Sequence, residues 1–123
     1  MKNKELYIGS EIDVLKLTLN KFDIPERRFS VFEEKDESLC LNYYNNMWIT
    51  YIKQEDRRIN FNKFRTFGEA RNSVFRTFSN DEKDIKKMER FYRILNIQLK
   101  EANVDLETAD DIANKQVKTQ KAR

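Results

Sequence analysis

Histidine is absent from the 123-residue chain, cysteine and proline each occur once, and glycine occurs twice. Each shortage removes a class of chemistry. Without histidine there is no Ser-His-Asp or Cys-His nucleophile. Most zinc sites fall with it, leaving only a carboxylate-only site for Mg²⁺ or Ca²⁺ open. With Gly9 and Gly68 as the sole glycines, there is no phosphate-cradling loop and no dinucleotide fingerprint. The expectation is a protein without catalytic machinery and without a cofactor. Cys40 cannot form an internal disulfide, and its neighbours Leu39 and Leu41 make it read as a buried free thiol. MKNKELYIGSEID carries no apolar stretch of signal-peptide type, and no run approaches the roughly 18 apolar residues of a membrane span. A reducing, cytoplasmic setting away from membranes is the expectation.

What is abundant is charge and aromatic side chains. Charged residues make up 37% and aromatics 12%, with nine Phe and five Tyr. That composition suits a small domain whose core is built from large rings. The net charge of +3 is unevenly spread. Residues 1–40 hold 7 basic and 9 acidic residues, residues 41–80 hold 7 and 3, and residues 81–123 hold 10 and 9. The basic excess therefore sits in the middle of the chain.

Patterning predicts an α+β domain over residues 1–114, with a flexible polar tail over 115–123. Ser10 caps a helix whose apolar face is Ile12, Leu15, Leu19 and Phe22, ending before Pro25. Residues 28–35 alternate as a strand in which Phe29, Val31 and Phe32 compete for the core side. Asp36-Glu37-Ser38 turns into a second strand at 39–44, and Asn45-Asn46 turns again. A third strand at 47–54 sets Trp48, Thr50 and Ile52 on one face and Met47, Ile49, Tyr51 and Lys53 on the other. A turn at Asp56-Arg57 leads to a short fourth strand around Ile59 and Phe61. The expected sheet is an antiparallel meander of about four strands, with the N-terminal helix and two to three C-terminal helices packed on it. Thr66-Phe67-Gly68-Glu69 is a capping-box pattern before a helix that buries Ala70, Val74 and Phe78, with Phe75 at the margin. A second start at Ser79–Glu82 opens a stripe of Ile85, Met88, Tyr92, Leu95 and Leu99, widened by Phe91 and Ile94. Continued through Ala102, Leu106 and Ala109, the stripe is either a packed helix or a dimer seam. Asn103-Val104-Asp105 is the place where it breaks if there are two helices.

Three charged groups are candidates for function. Glu33, Glu34, Asp36 and Glu37 form an acidic turn, read either as solvated charge or as a patch fitting a basic cleft in a partner. Gln54, Glu55, Asp56, Arg57 and Arg58 form a charged hairpin end next to Tyr51. Arg57, Arg58, Lys63, Arg65, Arg71 and Arg76, interleaved with Tyr51, Phe61, Phe64 and Phe67, either track a nucleic-acid backbone or coat a half-buried sheet. Trp48 is either a core anchor or an interface hot spot. Asp110-Asp111 reads as a surface pair on a helix.

The run from Trp48 to Ala70 resembles small immunity proteins of bacterial polymorphic toxin systems. Many of these have a Trp-x-Val-x-Tyr strand, a turn with Glu and Arg, then a Phe before a helix with Glu-Ala near its start. The matching positions here are Trp48, Thr50, Tyr51, Glu55, Arg57, Phe64, Glu69 and Ala70, within a likeness spanning about residues 29–78. The turn departs from that pattern, with Arg58 where a glycine is usual. The resemblance implies a non-enzymatic cytoplasmic inhibitor that binds the C-terminal domain of a cognate secreted toxin one-to-one and occludes its active site, free as a monomer or weak homodimer. Trp48, Ile52 and Phe61 would hold the sheet, while the 54–58 turn and the 33–37 acids would face the toxin. The alternative is a small nucleic-acid-associated regulator using residues 57–76. A third reading is a dimerising scaffold using the 85–113 stripe.

Overall fold

A computed structural model describes residues 8–121, with side chains described through Gln116. The order is α1 (Glu11–Lys21), a single 3-10 turn (Glu26–Arg28), β1 (Phe29–Val31), β2 (Ser38–Tyr44), β3 (Met47–Gln54), β4 (Arg57–Phe64), α2 (Phe67–Phe78), α3 (Glu82–Glu101) and α4 (Ala109–Lys121). The four strands form one sheet in the order β1-β2-β3-β4. The architecture is the α+β one expected from the pattern, but the sheet is mixed. β2–β3 and β3–β4 are antiparallel hairpins, whereas β1 runs parallel to β2, pairing Phe29 with Leu39 and Val31 with Leu41. The expected wholly antiparallel meander is corrected accordingly.

Chain length explains the correction. Parallel neighbours usually need a crossover of a dozen or more residues. A three-residue β1 rises only about 10 Å, and a six-residue connection reaches about 20 Å when extended. Residues 32–37 therefore suffice to carry the chain back over one face of the sheet. The expected strand at 28–35 is cut short because Phe32 adopts φ 63°, a left-handed conformation that breaks the alternation. That twist sends Phe32 to the same side as Phe29 and Val31, where its ring lies 6.0 Å from that of Trp48.

The helices cover one face of the sheet. Leu39, Leu41, Trp48 and Phe29 from the strands join Ile12, Val14, Leu15 and Leu19 of α1, Phe67, Ala70, Val74 and Phe75 of α2, Ile85, Met88 and Tyr92 of α3, and Ala109 and Ala113 of α4 in one core. Trp48 has no exposed surface; its ring meets Phe67 at 5.2 Å and Tyr43 at 5.1 Å. Its indole N–H donates to Asp110 Oδ1 at 2.9 Å, so the core-anchor reading of Trp48 holds and Asp110 is more than a surface acid.

Local signals place the helices. Ser10 Oγ accepts from the Asp13 amide, and Thr66 and Glu69 close a full capping box. Asp81 caps α3. Phe75 lies fully in the core and Phe78 only partly, the reverse of the expected order. α3 ends at Glu101, where Asn103 takes φ 63° and the Val104 amide reaches the Leu99 carbonyl, a Schellman closure. The apolar stripe of residues 85–113 is thus split over two helices. Ile94, expected to widen it, is exposed. The start of α4 is tied to the start of α1: the Glu11 and Glu107 amides bond across to the Glu107 and Gly9 carbonyls, and Glu11 Oε1 accepts from the Ala109 amide. The polar segment from Lys115 continues α4 as helix to Lys121, and its last two residues lie outside the described region. Among the described residues no helix is long and apolar enough to cross a membrane.

Candidate functional site

The second face of the sheet carries no helix. Strand parity assigns to it Cys40, Asn42 and Tyr44 of β2 and Met47, Ile49, Tyr51 and Lys53 of β3. On β4 the parity changes partway. The β3–β4 register slips between Thr50 and Ile52, and Asn60 sits at φ 55°. This bulge, with Asn tolerating the left-handed conformation that a bulge often needs, places both Arg58 and Phe61 on the open face. Phe61, expected to help hold the sheet, is 45% exposed and stacks on Tyr51, with ring centroids 5.7 Å apart and planes 12° from parallel.

Tyr51 is the hub of this face. Its hydroxyl donates to Glu34 Oε2 at 2.8 Å and accepts from Asn42 Nδ2 at 3.0 Å. Arg58 Nε donates to the same Glu34 oxygen at 2.6 Å, and its guanidinium lies 5.3 Å from the centre of the Tyr51 ring. Tyr51 is only 3% exposed, so it organises the face from beneath Phe61 and Arg58. Close by, Lys53 Nζ bonds Asp36 Oδ1 at 2.9 Å and also the Glu55 carbonyl.

The acidic connection is pinned onto this face from below. Ser30 Oγ donates to the Glu33 carbonyl at 3.0 Å and Ser38 Oγ to the Lys35 carbonyl at 2.9 Å. Both serines are buried beside the Cys40 thiol, which has no exposed surface, as expected for a free buried cysteine. The Glu37 amide bonds the Lys53 carbonyl, and Glu37 takes φ 61°. The 33–37 acids and the 54–58 hairpin end, separate in sequence, are therefore one surface. Glu34 and Asp36 are its paired acids; Glu33 meets Lys35 at 3.4 Å; Glu37, Glu55, Asp56, Arg57 and Arg58 are exposed around it, and Gln54 is half-buried opposite Arg57.

Electrostatics follow from these contacts. The Arg58 hydrogen bond, followed by that from Tyr51, holds the Glu34 carboxyl below its ordinary range. Burial and then the bond to Glu34 push the Tyr51 phenol up to about 12. Asp36 raises Lys53, and Glu34 raises Arg58.

Sequence reading did not single out Tyr44, 66% exposed on this face, the half-buried Ile49 or the exposure of Phe61. The signal for Ile49 and Tyr44 was strand parity. For Phe61 it was the Asn60 that permits the bulge. The basic set of residues 57–76 does not form a single track. Arg58 is paired with Glu34, Arg76 with Glu82 at 3.6 Å, and Arg71 lies over Tyr92 in the helical layer. Of the interleaved aromatics, Tyr51 and Phe67 are buried. Among the described residues no three of His, Cys, Asp and Glu gather as a metal site. No family profile, no curated protein and no solved structure matches the chain.

Proposed function

We propose that this protein is a non-enzymatic immunity protein that binds the C-terminal domain of a cognate secreted toxin and covers its active site. The observation that carries the reading is the open sheet face. It presents Phe61 beside the charges ordered by Tyr51, Glu34 and Arg58, with the half-buried Ile49 and the exposed Tyr44 further along the same face toward the opposite end of the hairpin. Exposed aromatics flanked by ordered charge are what a specific protein interface uses, the rings for affinity and the charges for orientation and capture rate. A pre-ordered surface loses little freedom on binding. The resemblance of residues 29–78 to immunity proteins points the same way.

Co-expression with the C-terminal domain of the neighbouring gene's product tests the proposal. The expected result is relief of that domain's toxicity and a one-to-one complex on co-purification. A domain that stays toxic and unbound would overturn it.

A further inference from the structure

Away from the sheet, α2 and α3 border an open depression built from helix residues alone. A cavity of about 400 Å³ is lined by Arg71 and Asn72 of α2 and by Glu89, Tyr92, Arg93, Asn96 and Ile97 of α3.

Arg71 is the unusual member. It is half-buried, and its guanidinium sits 4.5 Å from the centre of the Tyr92 ring. Among the described residues no carboxylate lies within ion-pair distance of it, and Nη2 donates to Asn72 Oδ1 at 3.4 Å, a long bond. Its Nε is out of solvent without a partner, and so is the hydroxyl of Tyr92, a residue only 6% exposed. A cation withdrawn from water without a counter-ion is costly, and each unmade donor bond adds to the cost. The contact with the Tyr92 ring offsets part of that cost, and an anion would complete the arrangement.

The lining specifies the ligand. Arg71 and Arg93 outnumber Glu89 by one positive charge, which suits a monoanion better than a dianion. Guanidinium groups match the planar two-oxygen geometry of a carboxylate. Asn96 Nδ2 is engaged with the Tyr92 carbonyl, which leaves its amide oxygen to accept, while Asn72 offers an amide nitrogen. Ile97, half exposed at the cavity, supplies an apolar wall. We infer that the α2–α3 cavity binds a small organic monocarboxylate, its two oxygens on Arg71 and its aliphatic part against Ile97. This site is independent of the open sheet face and of the partner proposed for it.

Titration of the ¹⁵N-labelled protein with sodium butyrate, against sodium chloride and sodium phosphate at equal ionic strength, tests the inference. Butyrate is expected to give saturable shifts of the Arg71 Nε–H and of the Asn72 and Asn96 side-chain amides. Chloride is expected to give only small, unsaturated ones. Arg71→Lys, which keeps the charge and loses the fork, should weaken butyrate binding by tenfold or more, and Tyr92→Phe should weaken it measurably. Should Arg71→Lys melt early, Arg93→Gln provides the same readout without touching a buried group. Shifts that never saturate, a wild-type titration in Arg71→Lys or Arg93→Gln, or tighter binding of phosphate than of butyrate would overturn the assignment.

Discussion

At the scale of the residue, Tyr51 shows how one side chain orders a surface. Its ring carries Phe61 and Arg58, and its hydroxyl holds Glu34. Two pH effects follow. The Tyr51 pKa is raised in the fold, so its contribution is fully present below its ordinary pKa of 10 and is lost as pH rises through about 12. Ultraviolet tyrosine titration should show a late-ionising phenol that disappears in Tyr51→Phe. The Glu34 pKa is depressed, so its contribution is present above the ordinary carboxylate pKa and is lost as pH falls through the lowered one. Glu34→Gln should flatten the acid limb of the stability curve. Because the Arg58–Glu34 pair lies at the surface, solvent screening keeps its effect at neutral pH small. Glu55 offers a test of the opposite sign. It opens the two-residue β3–β4 turn at φ 53°, where a non-glycine residue carries a cost of roughly 1–2 kcal/mol. Glu55→Gly should raise the denaturation midpoint, and an unchanged or lower midpoint would contradict the strain.

At the scale of the element, the 32–37 connection is where the fold departs from the pattern. It converts a meander into a mixed sheet and delivers the acids to the hairpin end. Its anchors are two buried hydroxyls, those of Ser30 and Ser38. Ser30→Ala with Ser38→Ala should cost about 1 kcal/mol for each lost bond and speed amide exchange at residues 33–37 while leaving α1–α4 protected. This element also marks where sequence reading stopped. The caps at Ser10 and Thr66, the Asn45-Asn46 turn and the two faces of β3 were legible, because each depends on side chains within a few residues of one another. The direction of β1 was not, since it turns on a left-handed Phe32 and on serines whose partners are carbonyls. Nor was the position of Phe61, because one residue of slip at Asn60 reverses which face every later side chain takes. Of the candidate surface, the charged residues were visible as two groups, but their union across the sheet was a tertiary fact.

At the scale of the whole molecule, one face of the sheet is committed to stability and the other is left open. Trp48 locks the first from β3 through Asp110 of α4, which closes the helical layer over the sheet. Asp110→Ala should strand the indole N–H and lower stability by about 1–3 kcal/mol in a denaturant titration, without changing the open face. That division lets binding and folding be perturbed separately. Charge around the open face should also make partner association salt-sensitive, the on-rate falling by roughly tenfold between low and high ionic strength. The most direct measurement is the affinity of the toxin domain proposed as partner for wild type and for Tyr44→Asp with Phe61→Asp, alongside the melting curve of each. Loss of binding with a near wild-type melt is the predicted result. A double variant that binds as tightly as wild type would place the interface elsewhere and contradict the account.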